Sequence, residues 1–137
     1  MQNNADITIY NRYIDATTRA EKWQRTTVHG VLWENRKAVN VIASGGNISA
    51  NQANIYIPYS RSGYLEPQVW QAKANKSGYW TLQPEDVVVR GLIPEDIAGI
   101  TTVTALRKKY PQVLTITSID AMDMGSASMS HWQIGAN

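Results

Sequence analysis

Two histidines, His29 and His131, are the only imidazoles in the chain, and no HxxxH or HxH spacing joins them to each other. Metal chelation by histidine needs partners on a shared face, so one histidine in each of two strand-like stretches reads as an ordinary strand residue. There is no cysteine, which removes thiolate metal sites, cysteine nucleophiles and disulfides. Serines are plentiful, but none sits in the Gly-x-Ser-x-Gly elbow that exposes a nucleophile on a strained turn. Two acidic pairs, Glu85–Asp86 and Glu95–Asp96, each follow a proline. Adjacent carboxylates on loops fit the capping of turns better than general acid–base work. The run ASGGNISANQ at 43–52 holds no lysine and no Gly-Lys pair, so it is not a phosphate-binding loop. These residues point to a protein that is not an enzyme and needs neither metal nor cofactor.

The elements that carry these residues belong to one domain spanning 1–137, with no internal repeat and no boundary. A length of 137 residues, 43% of them hydrophobic, is enough for a modest core. A net charge of +2 is too small to argue for a nucleic-acid or membrane partner on charge alone. No segment approaches the length that spans a bilayer. The N-terminus, MQNNADITIY, lacks the basic and apolar regions of a signal peptide, so synthesis in the cytoplasm is expected. The aromatic content is skewed: five Trp, seven Tyr and no Phe. Such amphipathic rings fill a small β core and its rim, or they serve an interface.

The chain reads as short strands and polar turns. In ITIYNRY (7–13), Ile7 and Ile9 share one face, and Thr8, Tyr10 and Arg12 the other, the pattern of a half-buried strand. KWQRTTVHGVLWE (22–34) is a long strand in which Gly30 marks a bulge or bend. RKAVNVI (36–42) is expected to return antiparallel to it around a turn near Asn35, and a Gly/Ser/Asn loop follows at 43–52. NIYIPY (54–59) alternates, with Ile55, Ile57 and Tyr59 on one face. Residues 60–78 are a long loop, either a surface insertion or a segment that orders against a partner. A short helix or strand is expected around Val69–Ala72. In YWTLQPEDVVVRGLI (79–93) two short strands flank a tight turn at Pro84, with Asp86 and Arg90 on one face of the second and Val87 and Val89 on the other. TTVTALRKKY (101–110) is a helix capped by Thr101 or Thr102, packed through Val103, Leu106 and Tyr110, and ended by Pro111. VLTITSID (113–120) and HWQIGA (131–136) close the chain as strands. The sum is a mainly β fold, a small β-barrel or sandwich of about seven strands with one short helix and long loops.

Taken together, DITIYNRY, KWQRTTVHGVLW, NIYIPY, the Trp80–Gly91 hairpin, the helix before VLTITSID and the terminal HWQIGA resemble the head-closure (stopper) head-tail connector proteins of long-tailed bacteriophages. The resemblance covers roughly residues 6–136 and includes the aromatic pair His131–Trp132 ahead of the last alternation. One departure is Pro84–Glu85–Asp86, where related chains place Gly-Asp before the VVVRG-like strand. The resemblance implies a structural protein of the virion neck, made in the cytoplasm of a bacterial host. It would form a ring of six or twelve copies, with portal or adaptor proteins above and tail-terminator proteins below. Such a ring closes the DNA channel after packaging and docks the tail, with non-specific contact to packaged DNA and no membrane partner. Two loops are candidates for interface or channel contact: 60–78, with Tyr64, Trp70, Lys73 and Lys76, joined by Tyr59; and 43–52, where Gly45 and Gly46 could hinge. The alternatives are a tail-terminator or tail-completion protein of the same virion, and a β-sandwich module that binds carbohydrate or peptide.

Overall fold

A computed structural model describes residues 4–41, 47–58, 62–76, 78–97, 102–110, 112–122 and 130–137. Six strands form a closed antiparallel barrel: β1 (Ala5–Ile14), β2 (Glu21–Val41), β3 (Asn47–Pro58), β4 (Val87–Arg90), β5 (Val113–Met122) and β6 (His131–Ala136). Their order around the barrel is β1-β2-β3-β6-β5-β4. Two short helices, α1 (Pro67–Ala72) and α2 (Val103–Lys109), lie in the connections. Of barrel and sandwich, the closed barrel is the form adopted, which leaves few unpaired strand edges.

Alternation selects the interior. Ile7, Ile9, Val31, Ile55, Ile57, Val88, Ile116 and Ile134 point into the barrel, and Trp80 and Leu82 enter it from the segment before β4. A second core lies outside the wall, where Tyr10, Val87, Val89 and Val113 meet Leu106 of α2 together with Ile93 and Ile97. This outer cover explains two features of the sequence. The triple valine of β4 is buried on both faces, Val88 inward and Val87 and Val89 under α2. Strand β1, expected to be half-buried, is covered on both sides, because Thr8 and Tyr10 lie beneath residues 91–97 and α2. Helix α2 forms where its caps allow: Thr102 Oγ1 accepts from the Ala105 N–H at 3.2 Å, and the helix stops one residue short of Tyr110–Pro111.

The bulge expected at Gly30 is present. The β1–β2 register shifts between Ala5↔Val31 and Ile7↔Val28, and Gly30 sits there at φ 71 with its N–H donating to Asp6 Oδ1 at 2.9 Å.

Three expectations are corrected. The chain does not turn at Asn35: β2 runs unbroken for 21 residues, from Glu21 to Val41. The return strand is β3, which begins at Asn47, so residues 47–52 belong to a strand and not to the loop assigned to 43–52. That fusion of two expected strands, and the absence of a strand before Pro84 apart from a single Tyr64↔Trp80 bridge, bring the count to six. The short structure near Val69–Ala72 is a helix, begun by Pro67 at its first turn, where a missing N–H costs nothing.

The turn before β4 keeps a glycine-like backbone without a glycine. Pro84 leads, Glu85 adopts φ 75, and the Asp86 N–H reaches the Gln83 carbonyl at 3.3 Å. A side chain in the left-handed region is strained, and Glu85 is exposed. Glu85→Gly is therefore expected to stabilise the fold by roughly 0.5–1 kcal/mol, the relieved strain less the glycine's extra unfolded-state entropy. Urea unfolding measures it, and an unchanged or lower midpoint would show that the turn is not strained.

Candidate functional site

Strand β2 is twice as long as its partner on one side requires. Strand β1 pairs with it only over Glu21–Val31. The remaining stretch, Leu32–Val41, pairs with Tyr56–Asn47 of β3. Strand β3 in turn is held by β6 only from Ala53 to Pro58. The rungs from Arg36↔Gln52 to Val41↔Asn47 thus run past the closed wall as a two-stranded arm. A free two-stranded ribbon is marginal alone and offers main-chain donors and acceptors along both edges. Sequence reasoning missed this arm. A ribbon with no core beneath it needs no apolar face, so Arg36–Gln52 carries no periodicity to betray it. The better signal is charge: residues 35–65 contain no Asp or Glu and include Arg36, Lys37 and Arg61. Gly45, Gly46 and Tyr59 lie outside the described residues.

The arm's root is built from polar side chains. Asn4 continues β1 with its amide, donating Nδ2 to the Trp33 carbonyl at 3.1 Å and accepting from the Trp33 N–H at 2.7 Å. The Trp33 ring is buried, and its Nε1 donates to Asn35 Oδ1 at 2.8 Å. Gln112 Nε2 donates to the same oxygen at 3.1 Å.

The described part of the expected 60–78 loop, continued by 79–83, folds back as a strap over the opposite mouth of the barrel. Tyr64 stacks on Trp132 with ring centroids 4.3 Å apart, and both lie against Trp80 at 5.2 and 5.7 Å. Trp70 is wholly buried, meets the edge of Tyr13 at 5.7 Å, and donates Nε1 to the Tyr79 carbonyl at 3.3 Å. Lys76 Nζ donates to the carbonyl of Lys73 at 2.6 Å and lies 4.8 Å from the Tyr13 ring centroid. Lys73 lies over Tyr79 at 4.4 Å. Four of the residues assigned to a contact loop are therefore used in closing the chain's own barrel. Their burial follows from pairings with β1 and β6 that are remote in sequence.

Beneath the strap is a buried polar hub. Asp86 accepts from Asn11 Nδ2 and Gln83 Nε2, both at 2.8 Å, and from the Arg12 N–H at 3.1 Å. Asn11 also closes a two-point pair with Thr81, donating to its carbonyl at 2.7 Å and accepting from its N–H at 3.1 Å. Burial outweighs these donors and pushes the Asp86 carboxyl up to about 6. The hub ties strap to wall and has no opening through which a substrate could reach it, since Asn11, Thr81 and Asp86 are all buried.

The two histidines stay apart. His29 is on the outer surface, with Nδ1 3.8 Å from Asp6 Oδ1, and His131 lies against the edge of Tyr56 at 5.5 Å. The acidic pairs also divide: Glu95 faces Lys109 and Asp96 binds Arg25 at 2.9 Å, while Glu85 and Asp86 belong to the turn. Among the described residues no cluster of three or more His, Asp or Glu could hold a metal ion, and no helix is long and apolar enough to cross a membrane. An open groove of about 680 Å³ runs along Arg25–Gly30 beside Ser62, Gly78 and Trp80, and Arg25 and His29 are the ionisable side chains in its lining. What the structure offers is an arm for contact and a filled, strapped barrel to carry it.

No curated protein and no solved structure matches the chain. One family model does match, over residues 2–137, and the chain belongs to that family: a family of unknown function, DUF6751.

Proposed function

We propose that this chain is a head-closure connector, a structural protein that forms a ring in the neck of a tailed-bacteriophage virion and closes the DNA channel with its arms. The observation that carries the reading is the β2–β3 arm, anchored on one side of a small barrel and extending past it. The barrel interior is filled by Ile7, Ile9, Ile55, Ile57, Trp80 and their neighbours, so no channel passes through a subunit. Any channel belongs to the space between subunits, and the arm is the element that reaches into it. Its lack of acidic residues favours close approach to packaged DNA, since phosphate contacts dominate sequence-independent affinity. A closed ring needs two unlike patches on each subunit. The α2 side, with Arg107, Lys108 and Lys109, and the half-exposed outer face of β3 and β6, with Tyr56, His131 and Gln133, are two such patches.

The glycan-binding alternative needs exposed rings for stacking; all five tryptophans are buried or half-buried, and the exposed Tyr79 ring has Lys73 Nζ 4.4 Å from its centroid. The test is deletion of the coding sequence from a phage that carries it, read by electron microscopy of the lysate. Leaking or DNA-filled heads beside complete free tails are expected. Tails of irregular length would transfer the role to a tail terminator, and intact virions that fail to adsorb would transfer it to receptor binding.

A further inference from the structure

We propose that Asn35 is a positioning residue that fixes the direction in which the arm leaves the barrel, through one side-chain oxygen held by two donors. The inference takes its purpose from the connector reading, but its geometry concerns the isolated chain. The Asn35↔Ala53 rung is the last on which the barrel has a grip, because Ala53 is also the last β3 residue paired with β6, opposite Ala136. Every rung of the arm beyond it inherits its orientation.

Three elements converge on this rung. From the residue just before β1, Asn4 grips the main chain of Trp33 at both N–H and carbonyl. From within β2, the Trp33 ring fills the barrel and directs its Nε1 to Asn35 Oδ1 at 2.8 Å. From the residue just before β5, Gln112 Nε2 reaches the same oxygen at 3.1 Å. Gln112 is itself fixed, because its carbonyl accepts from the Arg90 N–H at 3.2 Å, and the Arg90 guanidinium lies 5.9 Å from the Trp33 ring centroid. A carbonyl oxygen has two lone pairs, and both are occupied here by donors from different directions. One donor sets the distance of the rung from the core. The second resists rotation of the ribbon about the strand axis. Asn35 is exposed, so the arrangement is not a by-product of core packing.

The absence of cysteine makes the test direct. Spin labels on the pair Gln52→Cys and Thr117→Cys report the distance between the first arm rung and the barrel wall by pulsed electron spin resonance on the full-length isolated chain. The parent is expected to give a single narrow distribution. Asn35→Ala and Gln112→Ala are each expected to broaden it by about twofold, as loss of a hydrogen bond opens a local equilibrium. Asn35→Asp, which keeps an acceptor oxygen for both donors, is expected to restore the narrow form. Gln112 lies outside the strands, so its variant leaves barrel packing intact. A broad distribution in the parent, alanine variants as narrow as the parent, or failure of the aspartate to restore the narrow form would overturn the proposal. None of these results depends on whether the chain closes a phage head, which the deletion phenotype tests separately.

Discussion

Trp80→Ala is expected to lower the stability of the barrel by about 3–5 kcal/mol, the range for removing a buried tryptophan. A domain of this size has only about 5–15 kcal/mol to lose, so the variant should sit at the edge of folding at physiological temperature. The cost arises in three places. The ring, 2% exposed, lies among Tyr64, Trp132 and the interior aliphatics, and its loss leaves a cavity at the strapped mouth. Its Nε1 donates to the Ser62 carbonyl at 2.8 Å, which would lose its partner. Its main chain pairs with Gly63 and Leu65, so collapse of the cavity would pull on the strap. Trp80→Phe separates these effects. It retains most of the volume and gives up the hydrogen bond, with an expected cost of about 1–2 kcal/mol. Urea unfolding of the two variants measures both figures. A cost for the alanine variant below that of the phenylalanine variant would show that the mouth is not sealed by this ring.

The second large effect is a pH dependence opposite in sign to that of most buried carboxylates in ion pairs. Asp86 has three hydrogen-bond donors but lies in the wall, and burial raises its pKa from the ordinary 3.8 to about 6. Between those two values the folded protein keeps a proton on Asp86 that the unfolded chain has released. Stability contributed by this group therefore falls as pH rises through that window and is recovered on acidification from pH 7 towards 4. A shift of two units corresponds to about 3 kcal/mol. Asp15 has the opposite sign, since its hydrogen bond to Lys22 and those from Thr17 and Thr18 lower its pKa to about 2. Its contribution is lost as pH falls below the unfolded value. Comparing the unfolding free energy of the parent and of Asp86→Asn across pH 4–7 removes Asp15 and every other shared group from the difference. The difference curve is expected to slope downward with pH. A flat curve would mean that the donors offset the burial.

Much of the wall was legible in the residues. The alternation of Ile7 and Ile9, the triple valine at 87–89, the bulge glycine at position 30 and the Thr102 cap of α2 each rest on local chemistry that the structure retains. What escaped was non-local. Asn35 has the chemistry of a turn residue, but its side chain is occupied by Trp33 and by Gln112, 77 positions away, and the strand runs straight through it. Trp70 has the profile of an interface anchor until Tyr13 is brought against it. Asp86 looked like the end of a turn, yet its fate is set by Asn11, 75 positions earlier in the chain. The packing of the strap on the barrel has the same non-local origin, and the arm has no core to imprint a pattern on it.

The arm also carries a length scale. From Asn47 to Gln52, six residues extend beyond the last rung that β6 supports. At about 3.3 Å of rise per residue, that is a reach of roughly 20 Å. In the proposed ring, these paired rungs would supply about that much of the distance between a barrel wall and the common axis. Residues added to or removed from the tip in pairs would leave the strand register unchanged while altering the diameter the arms can span, so the width of the opening could be varied independently of the stability of the wall.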